Sequence, residues 1–572
     1  MHPPSLTAAS MQTMQQLLPK ILGSAVSALG FYGVVKLLGF LYHELTSSVR
    51  LLPGPPSTSW IYGNLKEISN LEDSQLHEEW ERAYGHTTQY KGILGMVRMC
   101  TTDHKAVNHI LMHPDIYQKP AANRHALASI LGEGSLLVVE GGKHKTQRKT
   151  MNPAFGLIQT RYLTEIFIEK AIELRDVWAS QIGESGSAQI DALSWMSRTA
   201  LDVIGLAGFN YKFDALIGEP NELSQAFSTV FQSSVKFEVF SLLRNFFPPL
   251  RLIETKTSRD RQAAHEVMSR IGSELLASSK AGVALAGKDG LDNGLQSRSL
   301  LSLLVKANMS ASVPDHQKMS DEDVIDRERC FHNIGVDADW SATPTEVATF
   351  IAAGHETTGT GTTWALFALT QNPGVQAQLR EELLRVLTDT PSMDELSALP
   401  YLDAVIRETM RLYAPLPSTT RVAHADDVLP LSTPLTDSKG NVHRSIVLKK
   451  GQWVSIPVLA MNRSKSIWGE DAWEFKPERW QSPPDTAHDI PGIWGNTLTF
   501  MGGPRACIGW RFAVTEMKAL LFTLIRSFEL ELAVPPEEIV GKLSAVVYRP
   551  MVKSNREAGN VLPLIIKPFQ RA

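Results

Sequence analysis

The densest grouping of reactive residue types lies near the end of the chain, in FMGGPRACIG at positions 500–509, where Phe500, Gly503, Arg505, Cys507 and Gly509 stand at fixed offsets. A cysteine outside a disulfide is a strong metal ligand once deprotonated, and a thiolate on a haem iron donates electron density that favours O–O cleavage. The residues that follow, WRFAVTEMKALLFTLIRSF, have helical periodicity, with Phe512, Met517, Leu520, Leu521, Leu524 and Phe528 on one side. Cys507 is therefore expected just ahead of a helix N-terminus, whose partial positive charge favours the thiolate. Gly503 and Gly509 would let the backbone approach a flat cofactor, Arg505 could meet a carboxylate, and Phe500 could shield the sulfur from water. The plain alternative is a buried free cysteine in a glycine-rich turn.

A second group lies upstream in IAAGHETTGTGTTWALFAL, residues 351–369, which is helical by periodicity yet carries Gly354, Glu356, Thr357 and Thr358 in its middle. Glycine weakens a helix, and a threonine hydroxyl can divert bonds from the backbone ladder, so a groove for ligand and water is expected here. FMGGPRACIG resembles the cysteine-ligand signature of the cytochrome P-450 family, and Ala-Gly-x-Glu-Thr-Thr at 353–358 resembles its oxygen-activation motif. The resemblance implies haem b with Cys507 as axial ligand. It also implies that Thr357 bonds to dioxygen on the iron while Glu356 feeds protons through water.

These groups need elements to hold them. GGKHKTQRKTMNPAF, residues 141–155, places His144 and Arg148 four apart on one helix face, where both can donate to an anionic group. By resemblance Arg148 binds a haem propionate, as does His144, where the family commonly has tryptophan. Lys143, Lys145 and Lys149 point elsewhere, as a dock for an acidic electron donor or simply as a solvated face. YLDAVIRETMRLYAPLP, residues 401–417, puts Glu408 and Arg411 three apart, and DAWEFKPERW supplies Arg479. The resemblance implies that these three form a structural cluster locking the cysteine loop, and that Arg421, in a β-like stretch, is a second propionate ligand. Residues 416–420 and the segment near Val546 and Val547 are expected to face a lipophilic substrate.

The chain of 572 residues has a net charge of −4 and a pI near 6.5, without the basic footprint that nucleic-acid binding requires. Cys100, Cys330 and Cys507 cannot build a disulfide framework, which points to a reducing compartment. Residues 1–20 read as a tail. Residues 21–42, apolar apart from Lys36, read as a transmembrane anchor, and 43–59, with the run LLPGPP, as a proline-rich hinge. Residues 60–572 form one catalytic domain, expected to be mainly α with a small β region in TTQY and MVRMCTT, the cytochrome P-450 fold. A single-pass protein of the endoplasmic reticulum membrane with its catalytic domain facing the cytosol follows. Amphipathic helices are expected over 157–278 and a surface linker over 279–298, with substrate-contacting loops at 119–135 and 205–250.

One break stands out. MSDEDVID, residues 319–326, starts a helix that stops at RERCFHNIGVDADWSATPT, residues 327–345. Removing that stretch brings Val324, Ile325, Val347, Phe350 and Ile351 into one apolar series, which suggests an insertion or a retained intron. The expected function is a haem-thiolate monooxygenase acting on a small lipophilic substrate, a terpenoid or other secondary metabolite. Electrons would come from a separate NADPH-cytochrome P-450 reductase, since no nucleotide-binding glycine pattern occurs in this chain, and the N-terminal helix would contact membrane lipid. A haem-thiolate isomerase or dehydratase that does not use dioxygen, or a haem protein disabled by the insert, are the alternatives.

Overall fold

Residues rich in threonine and aromatic or β-branched side chains, in TTQYK and VRMCT, form the first hairpin as the sequence leads one to expect. The computed structural model describes residues 44–70, 75–218, 256–289, 299–309, 345–544 and 546–570, with isolated positions between 27 and 42 and between 222 and 226. Its strands are β1 (Thr87–Lys91), β2 (Val97–Thr101), β3 (Tyr117–Gln118), β4 (Ala188–Asp191), β5 (Thr419–Ala423), β6 (Asp427–Thr436), β7 (Val442–Leu448), β8 (Trp453–Ile456), β9 (Phe528–Leu532), β10 (Ile539–Ser544), β11 (Val547–Val552) and β12 (Pro563–Pro568). A five-stranded sheet has the order β1-β2-β8-β5-β3, in which only β2 and β8 run parallel. A three-stranded sheet β4-β12-β9 and the hairpins β6-β7 and β10-β11 complete the β region.

The proline-rich segment is docked on the first sheet. Gln89 N–H of β1 donates to the Pro53 carbonyl at 2.9 Å, and Asn64 Nδ2 donates to the Pro56 carbonyl at 2.8 Å. A Cβ on Gly54 would collide with the Gln89 carbonyl, so the close approach requires glycine. The anchor expected at 21–42 falls largely outside the described residues; among the described residues no helix is long and apolar enough to cross a membrane.

The helices that position the site are α1 (His104–Met112), α2 (Ala121–Leu131), α3 (Gly141–Met151), α4 (Leu157–Ile182), α5 (Ala192–Phe209), α6 (Thr345–Gln371), α7 (Pro400–Leu412) and α8 (Trp510–Ser527). α6 and α8 form the centre. Nearly every residue of α8 from Phe512 to Arg526 is buried, including the polar Thr515, Glu516 and Lys518, so it is enclosed on all sides rather than amphipathic. Phe528, expected on that helix, begins β9 instead.

α6 runs from Thr345 to Gln371 with Gly354 inside it. Its glycines serve close packing: a Cβ on Gly354 would sit 3.1 Å from Ile204 of α5, one on Gly359 3.0 Å from the Met196 carbonyl, and one on Gly361 3.3 Å from Met410 Sδ of α7. Val347, Phe350 and Ile351 are buried, as their shared face implies. The helix starts at Thr345, and the rest of the expected insert, 327–344, lies outside the described residues with Cys330 and most of the 205–250 loop region. Residues 279–289, expected in a linker, belong to a helix over Lys256–Asp289, because the alanines of AGVALAG favour helix more than its glycines oppose it.

Candidate functional site

The loop carrying Cys507 is shaped by a 3₁₀ turn, Gly503–Arg505, and ends at Gly509, the N-cap of α8. Gly503 has φ +71°, and a Cβ there would strike the Leu111 carbonyl at the end of α1. Both the left-handed backbone and the packing on α1 therefore require glycine here. Cys507 N–H donates to the Phe500 carbonyl at 2.9 Å, and Phe500 is buried against Trp494 with ring centroids 5.5 Å apart. Cys507 keeps open side-chain surface although it lies deep in the fold. Burial pushes its thiol pKa up, while the Gly509 N–H and Arg148 act in the opposite direction. The helix terminus helps the thiolate as expected, but desolvation outweighs it.

Basic residues gather beside this loop. Arg148 of α3 donates to the Ala506 carbonyl at 2.6 Å, tying the helix to the loop. Arg505 donates to the Val139 carbonyl at 2.8 Å and ion-pairs with the buried Glu140, whose other oxygen accepts from Lys119 N–H at 3.2 Å. Arg421 of β5 is buried and donates to Thr419 Oγ1 at 2.6 Å. Burial and the cations Arg505, Arg421 and Arg124 hold the Lys119 amine well below its usual range. Burial, with Arg124 beside it, lowers Arg505 to about 10, and burial alone lowers Arg421 to about 10. His144 is pushed down to about 4 by burial and by Lys119 and Arg148, so its ring is neutral near pH 7. Lys119, Arg124, Arg148, Arg421 and Arg505 thus crowd together, with Glu140 paired to Arg505 among them.

The expected brace is present. Glu408, fully buried, receives Arg411 Nε at 2.9 Å and NH2 at 2.8 Å, Arg479 Nε at 3.3 Å, Trp480 Nε1 at 3.1 Å and Lys476 N–H at 3.0 Å. Arg411 also donates to the carbonyls of Asn462 at 3.0 Å and Ala472 at 2.6 Å. Asn462 then carries the brace to the cysteine loop: its Oδ1 accepts from Leu498 N–H at 2.9 Å and its Nδ2 donates to Thr499 Oγ1 at 2.9 Å.

On α6, Thr357 Oγ1 donates to the Ala353 carbonyl one turn back at 2.7 Å, and both residues keep open surface. Glu356 ion-pairs with Arg549 of β11 through one oxygen and lies 3.2 Å from His355 Nε2 through the other.

A model of the cytochrome P-450 family matches residues 53–331 and 341–551. The chain belongs to the cytochrome P-450 family. It is 54% identical over 530 residues to cytochrome P-450 monooxygenase 205 of Postia placenta, covering 92% of this chain and 94% of that protein. It is 47% identical over 562 residues to cytochrome P-450 monooxygenase 128 of the same fungus, covering 97% and 98%. Cytochrome P-450 monooxygenase claW of Ampulloclitocybe clavipes is 33% identical over 559 residues, covering 96% and 97%. The chain is accordingly an oxidoreductase of the monooxygenase type, and its family implies haem with a cysteine thiolate as axial ligand.

The residues present fit that group. A crowd of buried cations is an anion site, and the haem carries two propionates. Cys507 offers its sulfur beside them, with Arg148 close enough to influence its charge. Residues missed in the sequence, Lys119, Arg124 and Glu140, come from the loop and helix before α3 and carry no local pattern of their own. Asn462 and Arg549 likewise stand in no local pattern, whereas Trp480 closes the PERW run that supplies Arg479.

Proposed function

We propose that this cytochrome P-450 hydroxylates or otherwise oxidises a small lipophilic substrate, a terpenoid or other secondary metabolite, with electrons from NADPH-cytochrome P-450 reductase. The observation that carries the reading is Cys507 with open surface at the N-terminus of α8, beside a cluster of buried cations. When bound, the haem supplies dioxygen activation at a thiolate-ligated iron. Arg148, Arg421 and Arg505, with His144 as a neutral donor, would hold its propionates, and Phe500 would cover the sulfur. Glu408, Arg411 and Arg479 keep the loop in shape through Asn462. Thr357 would orient the oxygen side and Glu356 would hand on protons.

Exposed Lys143, Lys145 and Lys149 on α3 support docking of an acidic reductase, since the same helix presents Arg148 to the loop. The apolar segment 21–42 supports an anchor in the endoplasmic reticulum membrane with the domain on the cytosolic side. The family match leaves out residues 332–340, inside the stretch read as an insertion, which keeps a disabled haem protein as a second reading. The test is product formation from a panel of terpenoids with added reductase. Products that require NADPH and carry label from ¹⁸O₂ support the reading; products formed without either indicate an isomerase or dehydratase. Turnover only after deletion of 327–345 indicates a disabled protein.

A further inference from the structure

His355 and Glu356 adjoin in sequence and their side chains meet, with Nε2 3.2 Å from Oε1. The other ring nitrogen, Nδ1, lies 2.7 Å from the Ile351 carbonyl. A carbonyl only accepts, so Nδ1 carries the hydrogen and Nε2 of a neutral ring is a bare lone pair. Burial, with Arg549 nearby, holds His355 at about 4, so the ring is neutral near pH 7. A lone pair and a carboxylate oxygen at this separation repel in a buried setting, and a proton on Glu356 relieves the repulsion.

The opposite oxygen feels the opposite influence. Arg549 ion-pairs with Glu356 Oε2, which stabilises the carboxylate anion. Among the described residues its Nε is buried with no hydrogen-bond partner, so its ion pair is the one with Glu356. β11 is held to α6 by Trp364 Nε1, which donates to the Tyr548 carbonyl at 2.9 Å. Of the other elements packed here, α5 presents the apolar Ile204 to Gly354, and Lys542, cross-strand from Arg549 on β10, is exposed. One carboxyl group immediately before Thr357 is thus pulled toward two protonation states.

Resting on the monooxygenase reading above, we propose that His355 and Arg549 are opposed positioning residues for Glu356. The imidazole favours the protonated acid and the guanidinium the anion, so the grip of β11 sets when Glu356 holds a proton beside Thr357. Neither residue needs to touch substrate for this, and no motif in the sequence marks Arg549 for it.

The test uses the full-length, haem-loaded chain and follows the infrared C–O stretch of its carbon monoxide adduct against pH, a readout independent of turnover. The wild-type titration step that disappears in Glu356→Gln belongs to that residue. Arg549→Gln should move the step upward by about one pH unit or more, Arg549→Lys should restore it, and His355→Asn, whose amide can donate to the carboxylate, should move it downward. Peroxide released per NADPH should rise in Arg549→Gln and return toward normal in Arg549→Lys. A step unmoved in Arg549→Gln, a step equally displaced in Arg549→Lys, or a wild-type titration without any step that Glu356→Gln removes overturns the proposal. Failure of the underlying reading shows separately, as a wild-type chain with no carbon monoxide adduct of the thiolate type.

Discussion

Replacing Glu408 by glutamine tests the brace beneath the cysteine loop. The side chain is fully buried and accepts from Arg411 at 2.9 and 2.8 Å, from Arg479 at 3.3 Å, from Trp480 at 3.1 Å and from Lys476 N–H at 3.0 Å. Glutamine keeps the shape but removes the charge, leaving the fully buried Arg411 guanidinium with carbonyl partners only. Removing one partner of a buried ion pair costs roughly 3–5 kcal/mol. For a chain of this length the unfolding entropy is about 1.2 kcal/mol per kelvin, from roughly 2.1 cal/mol/K per residue, so Tm should fall by about 3–4 °C. Because Arg411 also holds Asn462, and Asn462 holds Leu498 and Thr499, the loop ahead of Cys507 loosens as well. Haem content measured as the pyridine haemochrome should therefore drop severalfold. A Glu408→Gln protein with full haem content, unchanged Tm and only reduced turnover would refute the reasoning.

Three further outcomes follow from the same geometry. Glu516 of α8 is buried with Oε1 unpaired, and burial raises its carboxyl well above the usual range. It is uncharged in the fold but ionises in the unfolded chain, so it costs stability as pH rises above the unfolded pKa; Glu516→Gln should gain Tm over wild type increasingly between about pH 5 and pH 8, and a constant difference across that range would contradict this. Gly503→Ala forces a side chain into a left-handed residue and against the Leu111 carbonyl, so the loop should lose about 1–3 kcal/mol and part of its haem, read by thermal melts and the haemochrome assay. Thr357→Val should keep haem content while product per NADPH falls severalfold and peroxide rises; unchanged coupling would remove Thr357 from the oxygen side.

The cysteine loop, the Glu408 cluster and α6 were legible in the sequence because short spacings force their residue types into one chemical setting. Glu408 and Arg411 share a helix face, and Arg479 sits in a compact run with Trp480. Lys119, Glu140, Arg124 and Arg549 each contribute one side chain from a separate element, and only the packing of the loops before α3 and of β11 brings them to the site. Physical competition explains the misreadings. At Cys507 the helix terminus was legible but the larger burial effect was not, and at 279–289 alanines carry a helix through glycines and serines.

The most direct measurement is the carbon monoxide difference spectrum of the reduced full-length chain beside its Cys507→Ala variant. A band displaced to the thiolate position in the wild type and lost in the variant is the expected result. An undisplaced band in both, or a displaced band that survives loss of Cys507, would contradict the assignment of that sulfur as the haem ligand.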